Sequence, residues 1–147
     1  MRRSLLAGVV LALLVGGTAA AGGRLALVAG QYTYQLNGGT SEVRLLAVGR
    51  PGDVRGTLMF RGSYVDFDGT VTCVTVKGAD AWVAGVIDDP AELGFDGWMV
   101  RVKDHGIRDR AVTFIDDAAV ARAWCEEMRR DGVEYLQPLV DGWVVVR

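Results

Sequence analysis

The clearest hydrophobic pattern of the chain lies at residues 69–87, where two Val-rich runs flank a short polar break. Residues 70–76 consist mainly of Val and Thr around Cys73, and residues 81–87 carry Trp82 in an apolar run. β-branched and aromatic residues favour strands, and the intervening Lys-Gly-Ala-Asp sequence at 77–80 is typical of a tight turn. The pattern predicts a β-hairpin, relative to which most other segments can be placed.

Short segments with a two-residue hydrophobic period recur along the chain and predict further strands. These segments are residues 31–36, 42–48, 56–61, 63–68, 98–103, 110–115 and 143–146. Residues 22–30 are expected to form a loose arm or a first edge strand, and Pro138 to break the chain before the last strand. Gly- and Pro-containing turns are predicted at 37–39 and 50–53.

One segment in the C-terminal half changes to the helical period. Residues 116–117, both Asp, can cap a helix that runs to about Arg130, where Asp and Gly at 131–132 end it. Its apolar positions recur at the spacing of one helix face: Ala121, Trp124, Cys125 and Met128. About eight strands with one late helix predict a mainly β fold, an antiparallel β-barrel or β-sandwich, and we favour the closed sheet.

The N-terminus has the layout of a secretory signal peptide. A basic start at residues 1–4 precedes an apolar run at 5–15 and an Ala-rich cleavage site at 19–21. We therefore expect a signal peptide at 1–21 and a single exported domain at 22–147, secreted by a bacterium along a route that the sequence leaves open. An uncleaved N-terminal anchor is the alternative, although the apolar run is short for a membrane span.

Charge and cysteine content narrow the possible functions. Without Arg2 and Arg3 the chain keeps 14 basic against 18 acidic residues, a formal charge of −4, which disfavours nucleic-acid binding. Cys73 and Cys125 are the two cysteines, and an even count in an exported protein favours a disulfide. Two thiols 52 positions apart cannot form a zinc site alone, and a redox pair would need the C-x-x-C spacing.

No catalytic residue is predicted. His105 lies between Asp104 and Gly106, a position typical of a turn that needs unusual φ angles, where Asn would serve equally. Ser41 and Ser63 do not lie in a nucleophile motif, and an oxidised Cys is a poor nucleophile.

Acidic residues cluster in a long loop at 88–96, which we predict as a possible binding loop. The residues concerned are Asp88, Asp89, Glu92 and Asp96. Solvated turns explain most of the acids, a calcium site in this loop is a weaker alternative, and a glycosidase pair from two strands stays open. No metal and no cofactor are predicted.

The four tryptophans could form a platform for stacking sugars, but their positions favour the core for three of them. Trp82 and Trp98 alternate with small apolar residues, and Trp124 lies on the apolar helix face. Trp143, near the C-terminus, is expected to be the most exposed.

A resemblance carried by Gly turns and core valines covers residues 56–147. The residues are Gly56, Leu58, Phe60, Gly69, Val71, Cys73, Val74, Val76, Gly78, Ala81, Gly85, Val86, Val102, Asp104, Gly106, Asp109, Arg110 and Gly142. In these the chain resembles the small exported β-domain of uncharacterised actinobacterial proteins. The resemblance implies an exported β-fold and carries no activity, and His105 replaces the Asn usual before that Gly.

Two function classes therefore remain. The first is a secreted, non-enzymatic binding or interaction module whose partner is a small apolar ligand, a glycan or a surface protein. The second is a secreted hydrolase that uses loop carboxylates. No nucleic acid and, after signal cleavage, no membrane is expected as a partner. Convergence of the loop acids with another acid in a cleft would favour the hydrolase.

Overall fold

The computed structural model describes residues 23–147, so the predicted signal peptide lies outside the described residues. Eight strands account for most of the chain. They are β1 (Ala26–Leu36), β2 (Gly39–Arg50), β3 (Asp53–Gly62), β4 (Asp66–Lys77), β5 (Asp80–Ile87), β6 (Gly97–Lys103), β7 (Arg110–Asp116) and β8 (Gln137–Val146). One α-helix, α1 (Ala118–Glu126), follows β7, and two short 3-10 turns lie at Gly106–Arg108 and Val133–Tyr135.

The strands form one antiparallel sheet in which each strand pairs with the next along the chain and β8 returns to β1. The ring closes weakly between β7 and β8, through the residue pairs Arg110–Pro138 and Ala111–Gln137 alone. The predicted mainly β fold with about eight strands and one late helix is confirmed. The central hairpin is confirmed as well, with Lys77 opposite Asp80 across a two-residue turn.

Tight turns set the register of the first three strands. Asn37 and Gly38 both have positive φ angles, 52° and 77°, as a two-residue hairpin turn requires. Leu36 and Gly39 pair on either side of them, and Arg50 pairs with Asp53 across the next two-residue turn. Because side chains alternate across a strand, these turns decide which residues of β1, β2 and β3 point outward.

The interior of the ring is apolar and is built around Trp98. The indole is fully buried, and its Nε1 donates a hydrogen bond to the Val86 carbonyl oxygen at 3.0 Å. Gly69 and Gly85 lie against the Trp98 indole, since a Cβ at either position would collide with it. The large side chain therefore requires small residues on β4 and β5, which explains these two glycines.

A gap in the β7–β8 ladder is filled by a side chain. The backbone N–H of Thr113 has no strand partner on the β8 side, and it donates to the Tyr34 hydroxyl oxygen at 3.0 Å. The neighbouring Tyr32 hydroxyl is buried and has no hydrogen-bond partner within residues 23–147. Burial raises the pKa of both tyrosines, most strongly that of Tyr32.

The helix packs on the outside of the ring, over β4 to β7. Cys125 is fully buried on its inner side and is disulfide-bonded to Cys73 of β4, with 6.3 Å between the Cα atoms. The predicted disulfide is thus confirmed. Ala121, Trp124 and Cys125 are buried between helix and sheet, as the helical period indicates.

The helix differs from the prediction at both ends. It ends at Glu126 rather than near Arg130, because Met128 has a positive φ of 50°. Asp117 is the N-cap residue but makes no side-chain cap. The cap is supplied by Asp96 of the loop between β5 and β6, whose carboxylate accepts a hydrogen bond from the Ala118 backbone N–H at 2.8 Å.

Three local predictions are wrong at least in part. Of the loose arm or edge strand expected at residues 22–30, the strand is confirmed from Ala26, but it is not an edge, because residues 28–30 pair with both β2 and β8. Pro138 lies inside β8, where it pairs with Arg110 at the short seam, and an edge position tolerates the missing N–H. His105 is an exposed turn residue, but its φ is −117°, and the positive φ of 65° belongs to Gly106.

Candidate surface for ligand binding

One half of the outer surface is covered by α1 and the other half is uncovered. The uncovered half, which we name the open face, is formed by β8, β1, β2, β3 and the first half of β4. Interior positions of these strands are buried, so alternate side chains must point to solvent. Trp143 and Leu46 are about half exposed there, at 53% and 49%.

Strand register aligns five side chains in a row across the open face. Trp143 lies opposite Gln31, Gln31 opposite Arg44, Arg44 opposite Met59 and Met59 opposite Asp68. Directly opposed residues on one face have Cβ atoms about 4.5–5.5 Å apart, so the members of this row are neighbours across the sheet. The row places an indole at one end and a carboxylate at the other.

A second row, less polar, runs parallel to the first. It contains Val145, Ala29, Leu46, Thr57 and Thr70, in the strand order β8 to β4. Between the rows lies a groove of about 630 Å³ that reaches from Trp143 to Asp88, just beyond β5. The groove therefore offers an apolar floor with polar groups along one side.

The polar groups of the groove are held by internal partners. The Arg61 Nη2 atom lies 2.8 Å from the Asp68 carboxylate, and its Nη1 donates to the carbonyl oxygens of Phe60 and Phe67. The Thr70 hydroxyl donates to the Asp88 carboxylate at 2.8 Å. Such contacts fix the orientation of a side chain before any ligand arrives, which lowers the entropic cost of binding.

Comparisons with protein-family models, with curated proteins and with solved structures each found no match. The resemblance to exported actinobacterial β-domains therefore stays a prediction, and function has to be argued from the geometry alone.

The four acids of the predicted binding loop do not act together. Asp88 reaches the groove of the open face, whereas Asp96 caps α1. Asp89 and Glu92 are exposed, and neither forms an ion pair or side-chain hydrogen bond within the described residues. Within residues 23–147 no three His, Cys, Asp or Glu side chains are grouped as metal ligands.

The four tryptophans are buried or exposed as the sequence predicts. Trp98 is inside the ring, Trp82 and Trp124 are buried between the helix and the sheet, and Trp143 is exposed. A single tryptophan is therefore free to contact a ligand, and no platform of several forms among the described residues. No helix of this part of the chain is long and apolar enough to cross a bilayer.

Most residues of the groove were missed by the sequence reasoning. Gln31, Arg44, Met59 and Arg61 occupy the outward positions of period-two strands, which sequence alone interprets as ordinary solvated positions. Counting outward from the two-residue turns would have aligned Gln31 with Arg44 and Arg44 with Met59. The position of Trp143 opposite Gln31 could not be predicted in this way, because no turn joins β8 to β1.

Proposed function

We propose that the chain is an exported, non-enzymatic glycan-binding module and that the open face is its binding surface. The observation that carries the proposal is the exposed Trp143 at the end of a row of polar side chains over an apolar floor. Ligand sites combine an apolar contact surface with a few placed polar groups in this way.

The chemistry of a pyranose ring matches this surface. One side of the ring presents C–H groups that pack against the flat indole of Trp143, and its equatorial hydroxyls point sideways. Gln31, Arg44 and Asp68 offer donors and acceptors along that direction. Tryptophan is suited to such contacts because it adds a large apolar area with little entropy cost.

The charges of the groove favour an uncharged sugar polymer. Arg61 is paired with Asp68 at 2.8 Å, and Arg44 lies 3.5 Å from Glu42. Asp88 adds a carboxylate whose partner is the uncharged Thr70 hydroxyl, so the groove has no excess positive charge for an anionic ligand. A small apolar ligand fits less well, because a shallow groove on the outside of a sheet would leave much of its surface in water.

A hydrolase is the second candidate, because Asp68 and Asp88 both line the groove. The backbone N–H of Asp88 donates to the Asp68 carbonyl oxygen at 2.9 Å, so the two residues are adjacent. Both side chains are exposed, and each already has a partner. A catalytic acid needs a carboxyl group shielded from water, which neither residue has.

Binding to a panel of soluble neutral polysaccharides tests the proposal: starch, dextran, mannan, xylan and a β-glucan. We expect at least one to bind and Trp143→Ala to weaken binding at least tenfold, about 1.4 kcal/mol, because the stacking surface is lost. Tyr64→Ala is the matched control, since Tyr64 is 85% exposed and lies outside the groove.

Absence of binding across the panel, or equal losses in the two variants, would contradict the proposal. Release of reducing ends that Asp68→Asn abolishes would establish the hydrolase instead. If the wild type captures a surface protein and no glycan, the open face is a protein interface.

A further inference from the structure

A second groove, of about 650 Å³, lies where β6 and β7 meet the segment before β8. Its lining residues are basic or apolar, and we name it the cationic groove. The residues that define it are Lys103, His105, Arg108, Arg110, Ile107 and Val133. No acidic side chain lines it, although the protein carries more acidic than basic residues.

The carboxylates nearest in the chain already have partners and do not line the groove. Asp80 lies 3.7 Å from Lys103 and from Arg101, and Asp104 accepts the Val146 backbone N–H at 3.0 Å. Asp109 accepts the His105 backbone N–H at 2.7 Å. Within residues 23–147, Arg108 and Arg110 form no ion pair, so their guanidinium groups are available to a ligand.

Strand register places two of the cations directly opposite each other. Lys103 of β6 faces Arg110 of β7 on the outer surface. Like charges at opposed positions destabilise a sheet. Asp80, on the far side of Lys103, lies 3.7 Å from its Nζ and compensates that charge, whereas Arg110 forms no ion pair within residues 23–147. Residues that work against local sheet stability are found at functional sites.

A further cation, Arg101, lies two residues before Lys103 on β6. It is 3% exposed and stacks on the Trp82 ring at 4.7 Å, and within residues 23–147 its Nε and Nη1 atoms have no hydrogen-bond partner. Burial lowers the pKa of Arg101, the Asp80 carboxylate raises it, and the nearby charge of Arg130 lowers it. The basic side chains around the groove therefore outnumber the three carboxylates near it, Asp80, Asp104 and Asp109.

We propose that the cationic groove binds an organic anion whose acid group is joined to an apolar body, taken up as a single molecule from solution. The acid group lies between Arg108, Arg110 and Lys103, where guanidinium groups form charge-assisted hydrogen bonds with oxyanions. The apolar body covers Ile107, which is fully exposed, and Val133, which is 42% exposed. This site lies outside the open face and does not depend on glycan binding.

Decyl phosphate below its micellar concentration is the probe, with inorganic phosphate and decanol as its two halves. Calorimetry is done on the whole secreted protein, on Arg108→Gln, on Arg110→Gln and on Arg55→Gln. The last is the matched control, because Arg55 is an exposed sheet arginine beside a turn, 3.8 Å from Asp53 and outside both grooves.

We expect decyl phosphate to bind at least tenfold more tightly than either half. Arg108→Gln and Arg110→Gln should each weaken binding at least fivefold, and Arg55→Gln should leave it unchanged. The melting temperature separates binding from structure: Arg110→Gln should keep or raise it, because the like-charge pair with Lys103 is removed.

Three results would overturn the proposal. The first is inorganic phosphate binding as tightly as decyl phosphate, and the second is equal weakening by Arg55→Gln. The third is binding to phosphatidylglycerol vesicles but not to the dissolved probe, which would make the groove a membrane contact. A lowered melting temperature in Arg110→Gln would assign that residue a structural role.

Discussion

At the scale of single residues, two neighbouring tyrosines inside the ring differ in how their hydroxyl groups are hydrogen-bonded. Tyr34 accepts a backbone hydrogen bond that the strands themselves do not supply, whereas the Tyr32 hydroxyl has no protein partner. An unsatisfied buried hydroxyl is costly, and its ionised form is costlier still. The interior therefore tolerates Tyr32 only in the neutral state.

This leads to a prediction about alkaline pH. Burial raises the pKa of Tyr32 well above its ordinary value of 10.0. The stability linked to the neutral hydroxyl is complete below pH 10.0 and is lost above it, because the unfolded chain ionises where the folded protein does not. We expect the free energy of unfolding of the wild type to fall as the pH rises above 10.0. In Tyr32→Phe this fall should be less steep, by up to about 1.4 kcal/mol per pH unit.

Denaturant unfolding of wild type and Tyr32→Phe at several pH values between 8 and 12 measures the difference. The ionisation of lysines changes the free energy of unfolding equally in both proteins, so it cancels in the difference between them. Identical slopes in the two proteins would show that the Tyr32 hydroxyl ionises as readily in the folded state as in the unfolded chain.

At the scale of elements, α1 is held to the sheet by side chains rather than by backbone pairing. Trp124 and Cys125 are buried against the sheet, and the Trp82 Nε1 donates to the Arg129 carbonyl oxygen at 2.8 Å. Asp96 fixes the helix start. The disulfide adds a covalent link between two elements that lie 52 residues apart in the chain.

Replacing Cys73 and Cys125 together by Ala should lower the free energy of unfolding by roughly 2–4 kcal/mol, because a long loop is no longer closed in the unfolded chain. Calorimetric or denaturant unfolding measures the loss. Thiol labelling of unreduced, denatured secreted protein should find no free thiol. Two labelled thiols per chain, or unchanged stability in the variant, would remove the disulfide from this account.

Element prediction succeeded where the signal was local and failed where it depended on distant contacts. The central hairpin and the apolar face of α1 follow from short-range patterns. The alternation of β6 predicted its interior side, but its outer residues Met99 and Arg101 are buried as well. The β8 start around Pro138 was missed, because only pairing with β7 makes that segment a strand. Among the groove residues, only the position of Trp143 depends on such a distant contact, because β8 meets β1 only in the folded ring. The alignment of Gln31, Arg44 and Met59 follows from the two hairpin turns.

At the scale of the whole molecule, the two sides of the ring are used differently. The side under α1 is covered and cross-linked through Cys73–Cys125. The open face presents Trp143 and a groove that holds the Arg61–Asp68 pair, and the cationic groove presents Arg108 and Arg110, which form no ion pair within residues 23–147. A ring with one fixed side and one uncovered side suits a binding module, because the scaffold stays rigid while its surface contacts a ligand.

The most direct test of this account is to map where a glycan binds. Amide chemical shifts of ¹⁵N-labelled protein are followed while an oligosaccharide from the binding polysaccharide is added. We predict shift changes concentrated at Gln31, Arg44, Met59, Asp68 and the Trp143 indole N–H, the row that strand register aligns. Changes confined to α1 or to the cationic groove, with the Trp143 indole unmoved, would contradict the claim that the open face is the binding surface.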